Sequence, residues 1–424
     1  MPLRFTEWQK LPVPLTELCL ATTLRCGQSF RYIDYSIRNT RLTNCFRRWH
    51  KSEDDIWTCA LHGRILSLKQ DDSTLHFRAA FPTTMAAPLT PPSSIAPSVS
   101  GDDDDTGGLA QHYLNLEPNL FDLYLQWSSA DLNFRRKAPK FTGVRILRQD
   151  AWEALVAFIC SSNNNIIRIS QMVEKLCLHY GPYLGKVNGH VYHDFPPPSA
   201  LSGKNVESHL RELGFGYRAK YIHQTAIMVA RERGSGWLDS LRNPESPVFG
   251  FKSAPAGLMK SGGRDGYRAA HGKLLELQGV GPKVADCVCL FGLGWGEAVP
   301  VDTHVWQIAQ RDYKFGKGKH SSLTKATYGA VGDHFRKLWG KEAGWAHSVL
   351  FTADLRAFSE RLTAKLETEE KKLPLDDQRI ITPSATVTKA MVKRELDEGK
   401  ENRGLLVGDV AVNASERVKR RRRG

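Results

Sequence analysis

Paired cysteines are missing from this chain. Its eight cysteines stand at Cys19, Cys26, Cys45, Cys59, Cys160, Cys177, Cys287 and Cys289, with no CxxC spacing and none after residue 289. That pattern argues against zinc ribbons and a clustered four-cysteine iron–sulfur site, so neither a metal nor a cofactor is expected. Long apolar runs are missing too: nothing approaches the roughly 20 residues of a membrane helix. The N-terminus, MPLRFTEWQKLP, does not read as a secretory signal. The expectation is a soluble intracellular protein with reduced thiols and no membrane partner. Glu7 counts against a mitochondrial signal, which leaves at most a minor mitochondrial pool.

Positive charge is what the chain has in excess. Lys and Arg number 59 against 45 Asp and Glu, a net charge of +14. Part of this is the terminal KRRRR run, residues 419–423, but basic residues recur through the body. Such a balance favours a polyanionic partner, nucleic acid ahead of a membrane surface. The terminal run has the form of a nuclear-localisation or nucleic-acid-contact patch, with a plain solvated end as the alternative. A nuclear location is therefore expected.

The 424 residues allow two or three domains. From about 11 to 80, TLRCGQSFRYI, CFRRWH, DIWTCAL, RILSLKQ and TLHFRAAF read as short strands of a small antiparallel sheet. From 112 to about 360, apolar residues recur every three or four positions, which predicts helices. The fold class is thus α+β: an N-terminal antiparallel β-sheet domain over 1–140 and a mainly helical domain over 141–362. A Pro/Ser/Asp-rich insertion at about 82–108 cannot support a core and is expected to be disordered. A Gly/Pro/Ser-rich loop occupies about 243–264, and 363–424 reads as a disordered basic tail.

The densest motif is LQGVGPKVADC, residues 277–287. AAHGKLLEL and PKVADCVCLFGL predict two helices joined by QGVG, a helix–hairpin–helix. Gly279 and Gly281 can take positive φ and expose their amides, and Pro282 suits a first helical turn. Amides at such a turn favour a phosphate oxygen and bind a nucleic-acid backbone without reading bases. Lys283 then sits in the first turn, where the helix dipole disfavours a cation. Two readings stand on the local sequence: a phosphate-binding cation, or a nucleophilic amine. Cys287 lies one turn on, beside the amine or simply in the core. Asp286 reads as structural. Asp302 precedes an amphipathic helix as a natural N-cap. The helix after Lys283 climbs about 15 Å over ten residues, and nine extended residues span at most about 30 Å. Asp302 can therefore return to Lys283 and stabilise developing positive charge. His304 follows on the same turn, as a phosphate contact or a structural histidine.

The hairpin and VPVDTHVW together resemble the helix–hairpin–helix base-excision DNA glycosylases that carry a Gly/Pro-rich loop and an aspartate. With CGQSFR (26–31), FTGVRILRQD (141–150), FICSSNNNIIRI (158–169), LGFGYRAKYI (213–222) and AGWAHSVLFTADLR (343–356), the chain is similar to the glycosylase/lyases of that superfamily that act on 8-oxoguanine. The similarity spans roughly 11–80, 110–240 and 265–360. It implies a bifunctional enzyme that excises 8-oxoguanine opposite cytosine and cuts 3′ to the abasic site, acting as a monomer on double-stranded DNA containing oxidised guanine.

The resemblance also implies roles. Lys283 attacks C1′ and forms a Schiff base, and Asp302 assists base loss electrostatically. Gly27 offers its carbonyl to the N7 proton of the lesion, while Cys287 and Phe351 sandwich the flipped base. Asn163, Arg168 and Arg218 hold the orphaned cytosine and Tyr217 wedges into the gap. Gly279 and Gly281 meet the strand, and His304 and Asp354 pair near the 5′ phosphate. Base flipping, aromatic stacking and arginine donors facing cytosine acceptors suit such chemistry. Four positions depart from the family pattern. His347 replaces a glutamine that grips the Watson–Crick edge with a two-pronged amide contact. Gln278 replaces a proline, Pro282 a threonine or serine, and Phe291 a methionine, which narrows the pocket. A glycosylase for another damaged base and a non-catalytic damaged-DNA-binding scaffold are the competing readings. Gly27 and the NNN…R set argue against the first, and the pairing of Lys283 with Asp302 against the second.

Overall fold

RILSLKQ and TLHFRAAF, expected as strands, form the middle of one antiparallel sheet. In the computed structural model, which describes residues 2–30, 49–52, 54–83, 104–234, 236–316, 322–355 and 358, the strands are β1 (Leu3–Phe5), β2 (Gln9–Pro12), β3 (His50–Lys51), β4 (Trp57–Leu61), β5 (Arg64–Gln70) and β6 (Thr74–Pro82). Their order is β1-β6-β5-β4-β3, with β2 also paired to β6, and every pairing is antiparallel. Leu75, Phe77, Leu66 and Leu68 turn one face onto Leu109 and Tyr113 of α2 (Thr106–Tyr113). The other face, at Ala60, Ile65 and Ala80, is covered by Leu184, Val187 and Tyr192. Both faces are covered, which is why β4 is buried at every position.

The covering residues belong to a hairpin, β7 (Tyr183–Val187) and β8 (His190–His193), inside the stretch that periodicity reads as helical. Its turn residues Asn188 and Gly189 both have positive φ, 49° and 81°. This is the Asn-Gly hairpin chemistry that right-handed strand twist favours.

Residues 26–30 of CGQSFR, the part of it that is described, are not a strand. A short helix, α1 (Leu20–Thr23), precedes them, and Gly27 has a φ of +83°. Side-chain bonds replace a ladder. Gln28 Nε2 donates to Thr23 O and Arg145 O, its Oε1 accepts from Leu147 N, and its carbonyl accepts from Gln149 Nε2. CGQSFR and FTGVRILRQD are therefore two halves of one locked loop pair. Gly143 in the second half has a φ of +72° and lies so close to Leu15 O that a Cβ would clash at 2.3 Å.

The helices that follow are α3 (Leu120–Ala130), α4 (Leu132–Lys137), α5 (Ala151–Cys160), α6 (Ile166–Tyr180), α7 (Val206–Glu212), α8 (Arg218–Ile227), α9 (Trp237–Ser240), α10 (Asp265–Leu274), α11 (Pro282–Cys287), α12 (Thr303–Tyr313), α13 (Lys325–Trp339) and α14 (Ala343–Asp354). All ten residues of α5 are buried, making it the central helix. The stretch from 243 to 264 holds no helix or strand. Its end is anchored by a buried ion pair in which Arg264 Nε and Nη2 contact Glu297 at 2.9 and 2.8 Å. Glu297 lies on the segment returning towards Asp302, so this pair fixes the path of that segment. Sheet and helices belong to one compact unit, Met1–Arg361. The expected disordered insertion lies mostly outside the described residues, and its ends are ordered in β6 and α2. The tail, 363–424, lies outside them entirely.

Candidate active site

The hairpin between α10 and α11 uses its two glycines differently. Gly279 has a φ of +75°, and a Cβ there would stand 2.6 Å from Tyr221 of α8. The expectation that Gly281 also takes positive φ is corrected. It is extended, at φ −95°, and serves as the N-cap of α11. Nothing lies within 4 Å of its absent Cβ, so the peptide is open to a neighbour. Pro282 occupies the first turn as expected. Thr225 Oγ1 donates to Gln278 O at 2.9 Å and ties the hairpin to α8. α11 is shorter than the sequence pattern predicts. From Val288 to Gly292 the chain widens into a π turn, the kind of irregularity that often accompanies function. There Phe291 stacks on Phe158 of α5, with ring centroids 5.4 Å apart.

Lys283 is half-buried beside α5. Its Nζ donates to Ser161 Oγ at 3.3 Å and lies 5.3 Å from the Phe158 ring centroid. Ser161 Oγ in turn donates to Phe158 O. Across the site, Asp302 is the N-cap of α12, accepting from Val305 N at 2.9 Å. Asp302 and Lys283 line one cavity of about 520 Å³, open mouth included. Gly27, Cys287, Phe291, His347 and Phe351 line it as well, with Phe158 and Val144 completing the apolar wall. Gly27 must be glycine here, because a Cβ would meet Ile166 at 3.0 Å in a left-handed backbone. Six sequence segments thus converge on one cavity.

The electrostatics of the cavity follow from burial. Burial pushes the Cys287 thiol up to about 12, so it stays a thiol beside the amine. It pushes His347 down to about 4, with the carboxylate of Asp302 opposing that shift, so the imidazole is neutral at pH 7. His347 is 3% exposed, and both of its ring nitrogens lack a hydrogen-bond partner. A neutral imidazole with neither nitrogen committed can give one donor and one acceptor to whatever enters.

SSNNN assigns each asparagine a separate task. Asn165 caps α6 by accepting from Arg168 N, and Asn164 Nδ2 donates to Cys160 O. Asn163 is exposed at φ +47°, a left-handed backbone that asparagine tolerates better than most residues. Arg168 is exposed. Tyr217 is also exposed, with its hydroxyl anchored on Ser162 O at 3.0 Å. Arg218 is placed otherwise: it is 4% exposed and donates to Ser162 O and Asn163 O. At the far rim, His304 Nε2 lies 3.2 Å from Asp354 Oδ2, and the His304 ring packs edge-on to Phe351. Sequence reasoning missed Arg311, which holds Asp354 Oδ1 at 2.7 Å, and Ser161 and Phe158, which hold Lys283. For Ser161 the signal was its place within FICSSNNN. Nothing marked Arg311. Among the described residues there is no His/Cys/Asp/Glu group able to hold a metal ion, and no helix long and apolar enough to cross a membrane.

This constellation has counterparts. A family model described as 8-oxoguanine DNA glycosylase, N-terminal domain, matches residues 10–155, and one described as HhH-GPD superfamily base excision DNA repair protein matches 156–331. An N-glycosylase/DNA lyase of Saccharomyces cerevisiae is 33% identical over 372 residues, 82% of this chain and 86% of its own. The chain belongs to the N-glycosylase/DNA lyase family of base-excision repair proteins. A second member, N-glycosylase/DNA lyase OGG1 of Arabidopsis thaliana, is 33% identical over 356 residues, 83% of this chain and 81% of its own. A solved 8-oxoguanine glycosylase/lyase of Clostridium acetobutylicum, in complex with double-stranded DNA containing cytosine opposite 8-oxoG, shares the fold. It is 21% identical with a TM-score of 0.57, covering 82% of this chain and 93% of that one. In family terms, β3 to β6 and α2 to α4 fall in the N-terminal match, and the hairpin, Lys283 and Asp302 in the glycosylase match.

Proposed function

We propose that this glycosylase/lyase excises 8-oxoguanine opposite cytosine from duplex DNA and then cleaves the strand through a Schiff base on Lys283. The observation that carries the reading is the single cavity in which an amine, a carboxylate and a base-sized apolar slot meet. A damaged base must leave the stack to reach it. Cys287 and Phe351 are the faces for that base. The Gly27 carbonyl is the acceptor for the N7 proton that distinguishes 8-oxoguanine from guanine.

Chemistry then follows from the two charged groups. Lys283 Nζ, as the free amine, forms a bond to C1′. The C1′–N9 bond breaks, with its electron pair leaving on the base. Asp302 stabilises the positive charge that develops on the sugar. The amine loses a proton as the sugar ring opens to the imine. Loss of the C2′ proton then expels the 3′ phosphate. Ser161 and Phe158 hold the Lys283 amine in the unbound protein, so the arriving nucleotide must displace these contacts. On the duplex side, Asn163 and Arg168 are exposed for the orphaned cytosine, Tyr217 for the gap. Arg218 holds Ser162 O and Asn163 O through Nη2 and offers cytosine its remaining guanidinium donors. Gly279 and Gly281 present the hairpin to the strand, and His304 and Asp354 face the 5′ phosphate. The protein acts as a monomer in the nucleus.

Duplexes carrying 8-oxoguanine opposite each of the four bases test this reading. Base release is expected fastest opposite cytosine. Equal rates opposite all four bases would remove the cytosine assignment, and release of a different damaged base in preference would remove the lesion assignment.

A further inference from the structure

Asp286 is the acidic residue of the signature stretch that the chemistry leaves unused. It lies between Lys283 and Cys287 on α11 but points away from the cavity and does not line it. It is 2% exposed, and its two oxygens receive two phenols from two other helices. Tyr267 of α10 donates to Oδ1 at 2.6 Å, and Tyr328 of α13 donates to Oδ2. His271 Nε2, also on α10, lies 3.7 Å from Oδ1. Burial pushes both phenols up, so both remain protonated donors across the physiological range.

The chain of bonds does not stop at Tyr328. Its oxygen accepts from Val301 N at 3.5 Å, and Val301 immediately precedes Asp302. A hydrogen-bonded path therefore leads from the helix that carries Lys283, through Asp286 and Tyr328, to the peptide that delivers Asp302. Asp286, Tyr328 and Val301 themselves do not line the cavity. A buried carboxylate is a costly way to join two elements, because an apolar pair of similar volume often serves stability as well or better. Directional bonds become worth that cost where a separation must be set within a fraction of an ångström.

We propose that Asp286 and Tyr328 are positioning residues that set the separation of Lys283 and Asp302. Asp286 orients the Tyr328 hydroxyl, and that hydroxyl holds the Pro300–Val301 peptide, just ahead of Asp302, against α11. The proposal rests on the roles given above to Lys283 and Asp302. A misplacement of about 1 Å at a reacting centre can cost about a hundredfold in rate. A loosened strut is expected to cost about tenfold.

The test uses the full-length protein and a duplex with 8-oxoguanine opposite cytosine, under single-turnover conditions. Tyr328→Phe keeps the ring and removes only the hydroxyl. Asp286→Asn keeps an acceptor for one phenol. Each is expected to slow base release about tenfold while affinity for a duplex with an unreactive abasic analogue stays within twofold. The decisive readout is coupling to Asp302, since residues that act through one another are not additive. In an Asp302→Asn background, Tyr328→Phe is expected to lose its effect, to within twofold. A merely structural hydroxyl would cost the same factor in both backgrounds, and that result overturns the proposal. So does a Tyr328→Phe rate within twofold of the parent. If the parent protein itself releases no base, the proposed function fails, and the strut fails with it.

Discussion

His347→Gln separates a buried neutral histidine from its environment, and the structure gives the size of the effect. Burial moves the imidazole from 6.5 to about 4, against the pull of Asp302 and with the help of His304. The unfolded chain therefore binds this proton more readily than the folded one. The sign follows: stability is complete above pH 6.5 and is lost as pH falls from there towards 4. The full difference is about 3 kcal/mol, at about 1.4 kcal/mol per pKa unit. About 2 kcal/mol of it is already lost by pH 5. Glutamine does not titrate. Urea unfolding at pH 7.5 and pH 5 should show the parent losing about 2 kcal/mol more than His347→Gln. Equal losses in the two proteins would refute the reasoning. Excision supplies a second check. The histidine is neutral above about pH 5.5, so the ratio of parent to variant rates should stay constant between pH 5.5 and 8. The variant should match or exceed the parent in excision, because glutamine restores the two-pronged amide contact. A collapse would show an active role for the imidazole.

Gly279→Ala meets both a left-handed backbone and Tyr221 at 2.6 Å; a loss of about 2–4 kcal/mol is expected, read by thermal unfolding. Asp302→Asn and Asp302→Ala separate the capping role from the charge. Asparagine caps as well as aspartate, so stability should hold within about 0.5 kcal/mol while base release drops, whereas alanine should also cost about 1 kcal/mol. Comparable unfolding midpoints for the two variants would contradict the cap assignment. Glu342, at the start of α14, is pushed up from 4.5 to about 7 by burial. Its contribution is intact below pH 4.5 and lost as pH rises through 7, so Glu342→Gln should gain about 2 kcal/mol on the parent between pH 4.5 and 8, allowing for residual exposure. A pH-independent difference would count against it.

Where chemistry depends on a local pattern, the sequence was readable. RILSLKQ and TLHFRAAF are short runs between polar turns, and they form β5 and β6 at nearly the expected bounds. Asp302 caps a helix because an amphipathic run follows it. Lys283 and Asp302 share a cavity because the intervening segment is long enough to return, as chain geometry allows. What stayed hidden depends on tertiary partners. CGQSFR looks like a strand until Gln28 is seen bonded to Arg145, over a hundred residues away. The β7–β8 hairpin carries an Asn-Gly turn, but its short strands take their stability from the face of the main sheet. Gly281 and Gly279 look alike in QGVG, and only Tyr221 tells them apart. The π turn after Cys287 and the burial of Arg218 against Ser162 O and Asn163 O leave no mark in composition or period.

The central claim is that Lys283 is the nucleophile. Borohydride trapping on a duplex with 8-oxoguanine opposite cytosine, followed by peptide mass mapping, tests it most directly. The account predicts one covalent adduct, on the peptide that contains Lys283, and none with Lys283→Gln. An adduct on another amine, or undiminished trapping by Lys283→Gln, would contradict it.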